Sequence, residues 1–66
     1  MAIAIASRCS GMDLRLRRVA LGVSQTAIAS ELGVSRQRVG NVEGMLRPPR
    51  SIVERYLAAL AEIAGR

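Results

Sequence analysis

The chain has 66 residues, of which 10 are basic, 5 are acidic and none is histidine, so its net charge at pH 7 is +5. A chain of this length forms one domain and buries only about 60% of the surface that its unfolded form exposes, so a partner subunit would add stability. With no histidine, no clustered carboxylates and only Cys9 as a thiol, the chain lacks the usual groups of acid–base catalysis, nucleophilic catalysis and zinc binding. We therefore expect no enzymatic activity, no metal and no other cofactor.

The basic residues are all arginine, and the isoelectric point is about 11.4. This composition favours a polyanionic partner, because guanidinium groups form paired hydrogen bonds with phosphate and with the O6 and N7 edge of guanine. A genome rich in G and C would give the same bias. One cysteine allows no disulfide within the chain, and no segment has the apolar length of a membrane span or the features of a signal peptide. We expect a cytoplasmic protein with no membrane partner, and no small-molecule ligand is evident.

The first eleven residues are predicted to be an N-terminal tail or arm, and residues 12–66 one domain. Apolar residues alternate with period two at the start of the chain, which is weakly typical of a strand. A disordered tail is the favoured interpretation. The alternatives are a strand exchanged with a partner subunit and an arm laid on DNA through Arg8.

A first helix is predicted over roughly 13–21, with Asp13 as its cap or first-turn acid. Arg15 and Arg17 on this helix are predicted to be solvated or near phosphate. The apolar residues available for burial are Leu14, Leu16, Val19, Ala20 and Leu21.

Two short helices joined by a tight turn are predicted over residues 24–43. Ser24 is placed to cap the first, which runs from Gln25 to about Leu32, because a serine hydroxyl accepts from the free N–H groups of a helix start. Gly33 ends that helix, since glycine readily enters the left-handed conformation common just past a helix end.

The second of these helices opens on Arg-Gln-Arg, with Ser35 placed to cap it. Val39 and Val42, three residues apart, are predicted to face inward, which turns the polar first turn outward. The alternative is a pair of ordinary core helices with a solvated polar side.

A stiff loop is predicted at Arg47-Pro48-Pro49-Arg50, because proline lacks an N–H and biases the preceding residue away from helix. Ser51 then begins the Ser-x-x-Glu spacing of a capping box, so a last helix is predicted from about Ile52 to Ala64, ending at Gly65. Its apolar stripe is wider than a small core needs, which makes its outer part a candidate seam between two copies. The residues assigned to this dimer seam are Tyr56, Leu57, Leu60 and Ile63.

The segment from about residue 14 to 60 resembles the helix-turn-helix family of phage repressors, Cro proteins and their bacterial relatives, also called the xenobiotic-response-element type. The resemblance rests on residues 24–43 and extends to Leu-Gly-Val-Ser-Gln at 21–25 and Val-Glu-Gly at 42–44. It implies an all-α, compact four-helix domain with a central helix-turn-helix. It also implies an ion pair between Arg18 and Glu43.

The resemblance further implies two sets of DNA contacts. The base-contacting residues would be Arg36, Gln37, Arg38 and Asn41, with a phosphate contact as the alternative for Arg38. The phosphate-contacting residues would be Ser24, Gln25, Ser35, Arg47 and Arg50, with plain solvation as the alternative for the two arginines. Gly40 departs from the pattern, because glycine in the second helix offers no side chain: either the backbone approaches DNA closely there, or the position is not read.

These observations predict a sequence-specific regulator of transcription that binds double-stranded DNA, most simply a repressor acting as a homodimer on an inverted-repeat operator. The alternative is an antitoxin or adaptor that uses the same scaffold to bind a protein partner.

Overall fold

The computed structural model describes residues 9–66, which form four α-helices. These are α1 Gly11–Ala20, α2 Gln25–Leu32, α3 Arg36–Glu43 and α4 Arg50–Ala64. No strand occurs in this part of the chain. The predicted all-α, four-helix architecture is confirmed; the strand considered for the opening residues lies outside the described range.

Helix α1 begins two residues before its predicted start. The Ser10 hydroxyl accepts the Asp13 backbone N–H at 3.1 Å, and the Asp13 carboxylate accepts the Ser10 N–H at 3.0 Å. This is a reciprocal capping box, in which Asp13 is the third helical residue and not the cap. Asp13 is therefore confirmed as a first-turn acid, whereas the cap is Ser10, three residues earlier.

Of the five apolar residues predicted to be available for burial in and just after α1, only Leu14 is buried. Leu16 and Val19 are 59% and 57% exposed. The helix meets the rest of the domain along one narrow side, formed by Gly11, Leu14 and Arg18. An arginine therefore occupies a core-facing position, and the other aliphatic side chains of α1 lie on the outside.

Gly11 fixes how closely α1 approaches α3. A Cβ at this position would overlap the backbone of Val42 and Glu43, so no larger residue fits without moving the helices apart. The Gly11 N–H donates to the Met45 carbonyl at 2.7 Å. The start of α1 is thereby joined to the end of α3.

The turn between α2 and α3 follows the sequence prediction. The Ser24 hydroxyl accepts the Ala27 N–H at 3.0 Å, and the Ser35 hydroxyl accepts the Arg38 N–H at 3.1 Å. Gly33 has φ 70°, the left-handed conformation. Both caps and the turn glycine are confirmed, because each depends only on residues within a few positions.

Helix α4 begins at Arg50, so the predicted capping box at Ser51 was wrong. Pro49 is the N-cap with φ −54°, and its carbonyl accepts the Val53 N–H at 3.0 Å. A proline ring pre-sets this φ and starts the helix before Ser51 is reached. The predicted end at Ala64 is confirmed, although Gly65 caps it with an ordinary φ of −83°.

The core is aliphatic, with Tyr56 as its largest member. Tyr56 and Leu60, two of the residues predicted for a dimer seam, are only 0% and 3% exposed and belong to the domain's own core. A core without phenylalanine or tryptophan needs their bulk, and both side chains lie on the side of α4 that packs against the other helices. Leu57 and Ile63 remain partly exposed at the edge of this cluster.

None of the helices within residues 9–66 is long and apolar enough to cross a bilayer.

Candidate nucleic-acid interface

Helix α3 presents a polar side to solvent. Val39 and Val42 are 1% and 4% exposed and anchor the helix in the core. Because an eight-residue helix makes just over two turns, burying these positions turns the first-turn residues and Asn41 outward. The four side chains predicted to contact bases are all exposed: Arg36, Gln37, Arg38 and Asn41.

Arg38 lies apart from the other three. Its side chain borders a small apolar pocket between the end of α2, α3 and the start of α4, which Leu32 and Ile52 also line. Arg36, Gln37 and Asn41 border no part of that pocket. The outer row of α3 therefore consists of Arg36, Gln37 and Asn41, with Arg38 on the flank.

Ser24 and Ser35 are exposed at the starts of α2 and α3. Each hydroxyl oxygen accepts a backbone N–H, which leaves the O–H free to donate to another acceptor. The positive end of a helix dipole lies at both starts, and this favours an anion such as phosphate.

Arg47 and Arg50 lie exposed on the loop before α4 and at its first residue. Arg50 approaches Glu54 at 3.6 Å, an exposed pair one turn apart, which holds the guanidinium only weakly. Both arginines are accessible to a phosphate.

Arg18 and Glu43 form a buried ion pair between α1 and the last residue of α3. Arg18 Nε donates to Glu43 Oε2 at 2.8 Å, and Nη2 donates to Oε1 at 3.1 Å. Nη1 donates to the Val23 carbonyl at 2.9 Å. The guanidinium therefore joins α1, the turn before α2 and the end of α3.

Two further donors complete the shell of the Glu43 carboxylate. Tyr56 Oη donates to Oε2 at 2.6 Å, and Gln25 Nε2 donates to Oε1 at 3.1 Å. Sequence reasoning missed the role of Tyr56, which it treated as an apolar stripe residue. The signal that could have revealed it is the hydroxyl itself, since a buried tyrosine O–H requires an acceptor.

Burial acts to raise the pKa of Glu43, but the hydrogen bonds from Arg18, Tyr56 and Gln25 outweigh it and leave the pKa below its ordinary value. The pKa of Tyr56 is raised, mainly by burial and to a smaller extent by the hydrogen bond to Glu43. The bond to Glu43 likewise raises the pKa of Arg18. At neutral pH the carboxylate is charged, and the three side chains that hydrogen-bond to it are all donors.

An open groove lies between the end of α1 and α4. Its lining includes Arg17, Leu21, Leu57, Leu60 and Ala61. The base- and phosphate-contacting residues assigned at α2, α3 and the start of α4 do not line this groove.

Four helices in this order, with α2 and α3 joined at Gly33 and a polar outer side on α3, define a helix-turn-helix protein. A family model described as a helix-turn-helix domain matches residues 11–63, and the chain belongs to this family. The family lies within the Cro-like and xenobiotic-response-element superfamily, so the predicted resemblance is confirmed. Comparisons with curated proteins and with solved structures gave no significant match.

Proposed function

We propose that this protein is a sequence-specific regulator that binds double-stranded DNA, with α3 as its recognition helix. The observation that carries the proposal is the row of Arg36, Gln37 and Asn41 on the solvent side of α3. This helix is anchored by Val39, Val42 and the buried Glu43. A rigid helix with three adjacent polar side chains has the dimensions and chemistry that the major groove accepts.

The chemistry of the row favours base reading. Arg36 suits the O6 and N7 acceptors of guanine, and the amides of Gln37 and Asn41 suit the N6 and N7 edge of adenine. Arg38, on the flank of α3, suits a base at the edge of the site or a neighbouring phosphate.

Phosphate contacts would fix the position of the domain on the duplex. Ser24, Gln25 and Ser35 supply donors at two helix starts, and Arg47 and Arg50 supply positive charge beyond the other end of α3. Contacts at both ends of the recognition helix would define its orientation in the groove.

The finer part of the proposal is a homodimeric repressor on an inverted repeat, acting in the cytoplasm. We place the second copy in the groove lined by Leu57 and Ala61. Arg17 lines this groove, and Glu54 lies one turn before Leu57 on α4, so two copies facing each other can pair opposite charges. A contact there leaves α3 of both copies free for successive major grooves.

Footprinting of the purified protein on the DNA upstream of its own coding region tests this function. We expect a protected inverted repeat and an affinity that falls steeply with salt, because phosphate contacts release counterions. If the protein binds all sequences with equal affinity and protects no site, or if it shows no salt-sensitive binding, sequence-specific regulation is rejected.

A further inference from the structure

Contacts within the described chain do not explain the glycine at position 40. Gly40 lies inside α3 and is not one of the two glycines with positive φ, Gly22 and Gly33. A Cβ at Gly40 would come no closer than 4.0 Å to any group outside its own helix turn, the nearest being Gln25 Nε2. Alanine would fit there and would favour the helix, so the fold itself does not require glycine.

Gly40 lies within the surface already assigned to DNA. Residues three and four apart share one side of a helix, which places Gly40 beside Gln37 and Arg36. The amide of Gln25 also lies next to Gly40, and it donates to Glu43 Oε1 at 3.1 Å. Glu43 is only 6% exposed and is itself held in place by Arg18. It therefore keeps the Gln25 amide next to Gly40, which has no side chain.

We propose that Gly40 is a DNA-contact position that sets how deeply α3 enters the major groove. The missing side chain leaves a notch on α3 between the Gln25 amide and the row of Arg36, Gln37 and Asn41. DNA enters this notch and lies against the α3 backbone. This inference depends on the proposed DNA binding.

The physical reason is the short range of base recognition. Side chains on α3 form good hydrogen bonds with base edges only within about 3.2 Å between heavy atoms. A methyl group at position 40 would keep α3 further from the base edges. All of those hydrogen bonds would then become longer at the same time. Glycine at this position therefore favours specific binding although it weakens the helix.

The test is Gly40→Ala, measured by thermal unfolding and by affinity for the footprinted operator and for random DNA. We expect the midpoint of unfolding to rise by about 4 to 8 °C, because alanine is the better helix former. We expect operator affinity to fall at least about tenfold, with affinity for random DNA within about twofold of the parent, because only the base contacts lengthen. Unchanged operator affinity would overturn the inference.

Two further variants separate the notch from other causes. Ala58→Gly on the exposed side of α4, combined with Gly40→Ala, should return the unfolding midpoint to near the parent value while operator binding stays weak. If operator binding recovers with the midpoint, stability and not the notch is responsible. In a Gln25→Ala background, Gly40→Ala should still weaken operator binding; if it no longer does, the alanine acts by displacing Gln25 and the inference fails.

The two proposals fail in different ways. If the unaltered protein binds no DNA, the regulatory function is rejected, and the notch with it. If the unaltered protein protects an operator and Gly40→Ala binds that operator equally well, only the notch is rejected.

Discussion

Within residues 9–66, the Glu43 carboxylate accepts four hydrogen bonds, two from Arg18 and one each from Gln25 and Tyr56. A buried charge is costly unless it is paired and hydrogen-bonded, and here both oxygens are satisfied. Because Glu43 ends α3 while Gln25 begins α2, this one side chain fixes the two helix ends that the proposed interface uses. The network also explains why an arginine occupies a core-facing position of α1.

Replacing Tyr56 with phenylalanine should destabilise the domain by about 1.5 to 3 kcal/mol, since the hydrogen bond that is lost has a charged acceptor. The ring would still fill the core, so the change isolates the hydroxyl. Urea denaturation with an unchanged m value measures it. A loss below about 0.5 kcal/mol would contradict the bond between Tyr56 and Glu43.

The pKa of Glu43 gives the pH dependence a definite sign. The folded-state pKa is lowered, so the stabilisation is fully present above the ordinary carboxyl pKa of about 4.3 and is lost as the pH falls through the folded-state value. We expect the free energy of unfolding to decline below about pH 4.3 in urea titrations. Asp13→Asn, which removes the capping-box carboxylate, is the control, and a flat profile in that variant would contradict the assignment to Glu43.

Among the elements, the caps of α2 and α3 were predictable because serine, helix start and turn glycine lie within a few residues of one another. The starts of α1 and α4 were not, because two signals competed at each. Ser10 preceded Asp13, and Pro49 preceded Ser51. Periodicity did not reveal which side of α1 is buried, because that side is set by the ion pair of Arg18 with Glu43, 25 residues away, which only the family resemblance implied.

A pair of serine variants tests this account of the helix starts. Ser24→Ala should cost about 1 kcal/mol because it removes the acceptor of the Ala27 N–H. Ser51→Ala should change stability by less than about 0.5 kcal/mol, because Ser51 lies in the first turn of α4 and caps nothing. Equal losses measured by chemical denaturation would restore Ser51 as a cap.

For the molecule as a whole, the sequence predicted the class of fold and which residues of α3 face outward, since both depend on periodic burial. It did not predict the surface available for a second copy. Tyr56 and Leu60 belong to the same apolar stripe as Leu57. Periodicity alone does not show which of these residues are buried in the core of a small domain. Leu57 and Ala61 remain accessible, and the proposed dimer uses them.

The proposed dimer groove predicts different effects for two equivalent substitutions on α4. Ala61→Glu places a charge in the groove, whereas Ala58→Glu places it on the exposed edge that faces α2. Sedimentation velocity should show a dimer for the parent and for Ala58→Glu, and a monomer for Ala61→Glu, because burying an unpaired charge is unfavourable. If Ala61→Glu is still a dimer, the interface does not lie in this groove.

The most direct test of the central claim, that α3 reads DNA sequence, compares Arg36→Ala with Arg15→Ala on operator and random DNA. Both variants remove one exposed arginine, but only Arg36 lies in the outer row of α3. We expect Arg36→Ala to lose about 1 to 3 kcal/mol of operator binding with little change on random DNA, while Arg15→Ala keeps the preference for operator. If both variants weaken operator and random DNA equally, α3 contributes only charge, and the assignment of α3 as a recognition helix is wrong.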